Sequence, residues 1–278
     1  MTEMIAARYE VLDKLGAGVL GEVVKVRDTQ TGSVRAIKLF KPQVLSPSNM
    51  GRFEREFRSI AKLSHPNIVI VYDFGVHEDR PYFSMELLDG TDLRKYIADT
   101  RPKADAPGFD EYVRRSAYVF HQVADALNTV HAAGIVHRDL KPENIFVKFG
   151  RFPRAKLLDF GHAKAAGDDQ NLTVTGTVLG TAWYIPPEQA MGKEIGPPAD
   201  LYSLGCVMYE TLTGKPPFGG KSVMEVILSH IQRPAPDARD ADARIPEKLA
   251  TMCKDLMKKN PEERPASAGE IAKLLLDE

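Results

Sequence analysis

The chain has 278 residues, 43% hydrophobic and 27% charged, which is enough apolar material for one large or two small domains with a real core. Lys and Arg (37) nearly balance Asp and Glu (38), so no broad basic field points to nucleic acid. Two distant cysteines (Cys206, Cys253), no apolar run near the ~18 residues a span needs, and no cationic-then-apolar N-terminus argue against a disulfide framework, a membrane segment and a signal peptide; the expectation is a protein of the reducing cytoplasm.

Residues 9–40 alternate apolar and polar, which predicts strands at 9–15, 22–27 and 34–40. Between the first two lies Gly16-Ala17-Gly18-Val19-Leu20-Gly21. That glycine pattern also marks dinucleotide sites, where a helix follows. Here Glu22-Val23 continues a strand pattern, favouring a hairpin laid over phosphates. Glycine lets backbone N–H groups approach phosphate oxygens without a Cβ in the way. Lys38 ends Ala36-Ile37-Lys38 in the third strand, and 48–63 reads as a helix with Ser48 as its N-cap. Its apolar positions, Phe53, Phe57, Ile60 and Leu63, put Glu56 on the core side, where a carboxylate needs a partner such as Lys38.

After the turn His65-Pro66-Asn67, residues 68–74 and 81–87 predict two more strands. The pattern then becomes helical: a short helix at 93–100, an exposed connector at 101–108, and a long amphipathic helix at 111–131. Next comes a polar octet, His137-Arg138-Asp139-Leu140-Lys141-Pro142-Glu143-Asn144, between the apolar runs Ile135-Val136 and Ile145-Phe146-Val147. An acid, a cation and an amide within six residues can meet one substrate group: the acid takes a proton, the cation holds a phosphate, the amide ligates a metal. A turn at 149–154 and a strand at 155–158 lead to a second carboxylate beside a glycine, Asp159-Phe160-Gly161. Residues 173–188 read as an adjustable loop with alternating threonines. Residues 200–212 predict a buried helix, with Asp200 as N-cap and hydrogen-bonded to the octet's backbone; 222–232, 246–257 and 267–276 predict three further helices.

The octet resembles the catalytic loop of eukaryotic-like (Hanks-type) Ser/Thr protein kinases, and Asp159-Phe160-Gly161 resembles their metal-binding loop. The resemblance runs from about Tyr9 to about Leu276, and Arg52 to Glu56 with Pro186 to Gln189 looks bacterial in style. It implies an α+β bilobal kinase fold: a small lobe of five antiparallel strands and one helix (about 9–87), a hinge (about 86–90), and a larger, mainly helical lobe (about 91–276). The implied activity is transfer of the ATP γ-phosphoryl to Ser or Thr of protein substrates. Asp139 would align or accept the hydroxyl proton, Lys141 would stabilise the moving phosphoryl, and Lys38, paired with Glu56, would orient the phosphates. Asn144 and Asp159 would hold Mg²⁺, with Mn²⁺ as a substitute. Nucleotide contacts are expected at Gly16, Ala17, Gly18, Gly21, Val23, Ala36, Met85, Glu86, Leu88, Asp92 and Phe146. Asp92 reads equally well as a helix N-cap.

Two departures from the family pattern are Leu20 at the glycine-loop tip, where an aromatic is common, and Pro186 where Ala precedes Pro-Glu. Arg264 matches the Arg that pairs with Glu188, and Thr181 the residue that bonds the catalytic acid. Arg138, Arg52 and Lys164 match a basic pocket for a phosphate on the activation segment, with Thr173, Thr175 and Thr177 as candidate acceptors and a transient homodimer for phosphorylation in trans. The alternatives are a pseudokinase or nucleotide-binding scaffold, although all the groups it would lack are present, and a small-molecule kinase on a related fold.

Overall fold

A computed structural model describes residues 3–18, 20–42, 47–103, 106–150, 152–159 and 182–276, without the side chains of 47–49, 52, 53 and 56. The described residues fall into two compact units, one within Met1–Ser64 and Ile68–Asp89, the other within His65–Asn67, Gly90–Phe160 and Gln170–Glu278.

The first unit is an antiparallel sheet of six strands: β1 (Met4–Ile5), β2 (Tyr9–Ala17), β3 (Gly21–Asp28), β4 (Val34–Phe40), β5 (Val71–His77) and β6 (Arg80–Glu86), in the order β1-β2-β3-β4-β6-β5. The five expected strands are joined by β1, too short for any periodicity to announce it. Ala6 and Ala7, both at φ 51, turn the chain so that Ile5 pairs with Tyr9. Strand β5 starts three residues later than expected, and Ile68 and Val69 enter the core without being in it. One sheet face buries Ile5, Tyr9, Val24, Val26, Ile37, Leu39 and Tyr82 together. The other carries Phe83, which stacks on Phe40 and on Phe57 of helix α1 (Pro47–Ile60). Helix α1 departs from expectation at both ends. Pro47 opens the helix, so Ser48 lies inside it and is no cap; a proline suits the first helical position because its missing N–H has no partner there. The helix also ends at Ile60, short of Leu63.

Glycine 21 has a packing reason. A Cβ there would stand 2.1 Å from the Leu39 carbonyl oxygen, so β3 and β4 could not keep their spacing. A Cβ on Gly16 would meet nothing within 4 Å, and one on Gly18 only the Gly21 carbonyl at 4.0 Å. Gly21→Ala is therefore expected to cost about 1–3 kcal/mol of stability, whereas Gly16→Ala is expected to melt with the parent and to change nucleotide affinity alone. Thermal unfolding beside nucleotide titration checks both.

The second unit opens with β7 (Thr91–Asp92), which with β8 (Ile145–Lys148) and β9 (Arg154–Leu157) forms a three-stranded sheet. Its helices are α2 (Leu93–Thr100), α3 (Phe109–Ala132), α4 (Pro187–Ala190), α5 (Pro197–Thr213), α6 (Val223–Gln232), α7 (Ala238–Ala241), α8 (Glu247–Leu256) and α9 (Ala268–Leu276). Helix α5 is buried nearly end to end, and Gly205 lets α8 approach: a Cβ there would lie 2.7 Å from Leu256 Cβ. Cys206 and Cys253 are free and buried, as expected. Asp200 lies in the first turn of α5 and not at its cap, which is Gly196. The connector is not simply exposed either. The Arg101 guanidinium is mostly buried, donates to the Leu212 carbonyl at 3.1–3.2 Å and lies 5.8 Å from the Phe109 ring.

Candidate active site

In the first unit, strand register assembles the candidate nucleotide residues. Residues directly opposite one another across a ladder share a face, and so do alternate residues along a strand. Val23 pairs with Lys38, Ala36 with Met85, and Lys38 with Phe83. Val23, Ala36, Lys38 and Met85 therefore lie on one face, the face that receives Phe57 of α1. Lys38 Nζ stands 5.5 Å from the Phe40 ring centroid. The Glu56 side chain lies outside the described residues, but its neighbour Phe57 docks on the cross-strand partner of Lys38. At the β2–β3 turn Gly16 pairs with Val23, Ala17 with Glu22, and Gly18 N–H donates to the Gly21 carbonyl at 2.7 Å. Neither packing nor a positive φ demands glycine at 16 or 18. Glu86 donates its N–H to the Ile70 carbonyl and accepts from Ile70 N–H on its carboxylate, both at 2.9 Å. Leu88, half-buried, follows that anchored residue.

In the second unit the octet is held by one buried carboxylate. Asp200, 1% exposed, accepts from the N–H groups of His137 and Arg138 at 2.8 Å each and contacts His131 Nε2 at 2.7 Å. Three partners offset the cost of burying the group. They also hold Arg138 at φ 65, a left-handed conformation that a non-glycine residue keeps only when its surroundings impose it. The expected contact between Asp200 and the octet's backbone is present. His137 is fully buried, and burial pushes its imidazole below the ordinary range, so it is neutral. Its Nε2 lies 2.8 Å from the Leu158 carbonyl, which can only accept, so the proton is on Nε2. Nδ1 then accepts the Asp139 N–H at 3.3 Å.

Asp139 Oδ2 accepts from Lys141 Nζ at 2.8 Å and from Asn144 Nδ2 at 3.1 Å, and the Asp139 carbonyl accepts Asn144 Nδ2 at 2.7 Å. Both partners of the amide are acceptors, so its nitrogen must face them and Oδ1 is the end left for a cation. Pro142 starts a single 3₁₀ turn, Pro142–Asn144, which fixes Asn144 beside Asp139. From there β8 and β9 form a hairpin pairing Ile145 with Leu157, and Leu158 N–H donates to the Asn144 carbonyl at 2.8 Å. Asn144 and Asp159 thus flank adjacent strands at the same end, and Asp159 adopts φ 47, left-handed like Arg138. An amide oxygen and a carboxylate at such a place are groups that could hold a hard cation.

Asp92 caps α2: its Oδ1 accepts Lys95 N–H at 2.9 Å, and it pairs with Phe146 across the sheet. Gly90, at φ 149, is required beside it, since a Cβ would stand 2.4 Å from the Val147 carbonyl oxygen. Pro186, at φ −65, leads into α4, where Glu188 receives both terminal nitrogens of Arg264 at 2.7 and 2.8 Å. Phe160, Gly161, Lys164, Thr173, Thr175, Thr177 and Thr181, like the Arg52 side chain, lie outside the described residues. Sequence reasoning passed over Arg94, which bridges Glu143, Glu210 and Tyr184. Glu143 in the octet was visible, but nothing local ties it to a residue 49 positions earlier.

Comparison with known proteins agrees with this geometry. The protein kinase domain model matches residues 9–275. Serine/threonine-protein kinase PknD of Mycobacterium tuberculosis is 39% identical over 266 residues, covering 95% of this chain and 38% of that protein. The DNA damage-responsive serine/threonine-protein kinase RqkA of Deinococcus radiodurans is 36% identical over 274 residues, covering 98% of this chain and 39% of that protein. The chain therefore spans about two fifths of the length of these relatives. The crystal structure of the Mycobacterium tuberculosis PknI kinase domain superposes with a TM-score of 0.75 at 24% identity, covering 99% of this chain and 98% of that one, and so carries the same fold. With its octet, glycine turn and buried Glu188–Arg264 pair read together with these matches, the chain belongs to the protein kinase domain family.

Proposed function

We propose that the chain is the catalytic domain of a serine/threonine protein kinase that transfers the γ-phosphoryl of ATP to Ser or Thr hydroxyls of proteins. The observation that carries this reading is the joint hold on Asp139: Lys141 and Asn144 both bond its Oδ2, and His137 accepts its N–H. Phosphoryl transfer asks a protein mainly for positioning and charge neutralisation. Asp139 aligns the acceptor hydroxyl and takes its proton. Lys141, already on the same carboxylate, stands where a cation can meet charge on the transferred group. Asn144 Oδ1 and Asp159 would hold Mg²⁺, with Mn²⁺ as a substitute; when bound, the metal neutralises phosphate charge. Lys38 orients the phosphates, kept in place by Glu56. Gly16, Ala17, Gly18 and Gly21 cover them, with the open space above Gly16 and Gly18 as the supporting observation. Val23, Ala36, Met85, Glu86, Leu88 and Phe146 take the adenine, and Asp92, besides capping α2, takes the ribose.

The first unit is then the small lobe, 86–90 the hinge, and the second unit the large lobe. The activation segment carries the regulatory phosphate on Thr175 or Thr177, then Thr173, added in trans by a second copy. The cytoplasm supplies ATP and keeps Cys206 and Cys253 reduced. Among the described residues no helix is long and apolar enough to cross a membrane. The buried Glu188–Arg264 pair favours a peptide platform over a small-molecule site.

Intact-mass and peptide mapping after incubation with Mg-ATP tests the reading. Phosphate on Ser or Thr, including the 173–177 segment, is expected and disappears with EDTA. Nucleotide binding without any phosphate transfer to itself or to a mixed protein substrate would make the chain a pseudokinase instead.

A further inference from the structure

A second charged cluster lies beside the octet. Arg94, in the first turn of α2, spends all three guanidinium nitrogens: Nε donates to Glu143 Oε1 at 2.6 Å, Nη1 to Glu210 Oε1 at 2.9 Å, and Nη2 to the Tyr184 hydroxyl at 2.6 Å. Tyr184 donates its own hydroxyl to the other oxygen of Glu210, and the Trp183 ring lies 5.8 Å from the Arg94 guanidinium carbon. Two carboxylates face one cation, so the cluster keeps a net negative charge. It is closed at Glu210, whose side chain is 6% exposed, and open at Arg94 and Glu143, at 37% and 41%.

The place matters as much as the charge. Glu143 belongs to the same 3₁₀ turn as Asn144, which bonds the catalytic Asp139. An extended peptide advances about 3.3–3.6 Å per residue. A substrate whose hydroxyl reaches Asp139 therefore carries residues only a few places away past Glu143. A planar fork of donors between two carboxylates and an aromatic face is how proteins hold a guanidinium. Here that guanidinium is the chain's own.

We propose that Arg94 is a specificity-determining residue: it occupies from within the chain a carboxylate pair that would otherwise hold an Arg or Lys of the peptide substrate, so that the kinase requires no basic residue beside its acceptor Ser or Thr. This rests on the kinase reading above. Burial alone explains why Glu210 needs a partner, but not why the cation is shared with an exposed Glu143 in the catalytic turn.

The test compares peptides that carry Arg or its uncharged isostere citrulline at each position flanking the acceptor, as the ratio of kcat/KM values. The parent is expected to give ratios near one everywhere. Arg94→Ala is expected to gain a preference for Arg of about tenfold or more at one position, the scale of regained charge-assisted hydrogen bonds. The gain should appear mainly in KM and vanish again when Glu143→Gln is added. Arg94→Gln keeps donors for Glu210 and Tyr184 without the charge and should show the same rise if the alanine variant does not fold. A parent that already prefers Arg by tenfold, or a folded variant whose ratios match the parent's, overturns the proposal while leaving the kinase reading intact. A parent that phosphorylates no peptide at all overturns both.

Discussion

Asp139→Asn is expected to retain nucleotide binding and to lose turnover by about 10²–10⁴-fold, the usual contribution of a positioned general base. The substitution keeps the size of the side chain and an oxygen to accept from Lys141 Nζ, which sits 2.8 Å from Oδ2. The backbone contacts are also untouched: the Asp139 carbonyl still accepts Asn144 Nδ2 at 2.7 Å, and its N–H still reaches His137. What disappears is the group able to take a proton. Asp159→Asn should behave differently: with Asp159 as the proposed charged ligand of the metal, its loss should weaken Mg-ATP binding as well. Calorimetric titration of nucleotide beside steady-state turnover separates the two variants. Near-normal turnover in Asp139→Asn would show that the role given to this carboxylate is wrong.

Arg264→Ala should be strongly destabilising. Arg264 is fully buried, bonds both oxygens of Glu188 and also donates to the carbonyls of Pro198, Lys258 and Lys259. Its removal leaves Glu188 buried without its cation and several carbonyls without donors. Breaking a buried pair from one side typically costs about 3–5 kcal/mol, which corresponds to a melting temperature lower by roughly 10 °C in a protein of this size. The double variant Arg264→Ala/Glu188→Ala should cost clearly less than the sum of the two single changes, because the stranded charge is gone. Losses that simply add would mean that the pair acts as two independent surface charges.

Much of the molecule was legible because its signals are local. Period-two alternation gave the sheet of the first unit, a period-3.6 stripe gave α3, and an almost unbroken apolar run gave α5, each helix to within a few residues at its ends. The octet and Asp159 stood out because their polar groups are packed into short windows, and the pairing of Arg264 with Glu188 was implied by the family resemblance alone. What escaped was set by other parts of the fold. Strand β1 exists only because Ile5 can pair with Tyr9, and two residues carry no period. Ser48 looked like a cap, but Pro47 ahead of it fits the first helical position as well, and a one-residue shift in a helix start leaves the apolar stripe unchanged. Asp200 reads as a cap but lies inside the first turn; its expected bonds to the octet's backbone, more than 60 residues earlier, are present. Gly21 reads as a phosphate-binding glycine, yet Leu39 of the next strand already excludes any larger residue. Arg94 carried no signal at all, since its three partners lie 49, 90 and 116 residues away.

Phosphoryl transfer from ATP to protein hydroxyls is the activity proposed for Asp139 and the groups gathered on it. Its most direct measurement is transfer of label from γ-labelled ATP to a degenerate Ser/Thr/Tyr peptide mixture, followed by identification of the labelled amino acid. The account predicts label on Ser and Thr, dependence on Mg²⁺ or Mn²⁺, and loss of label in Asp139→Asn. Label found on Tyr alone, or label that persists at the parent's level in Asp139→Asn, would contradict it.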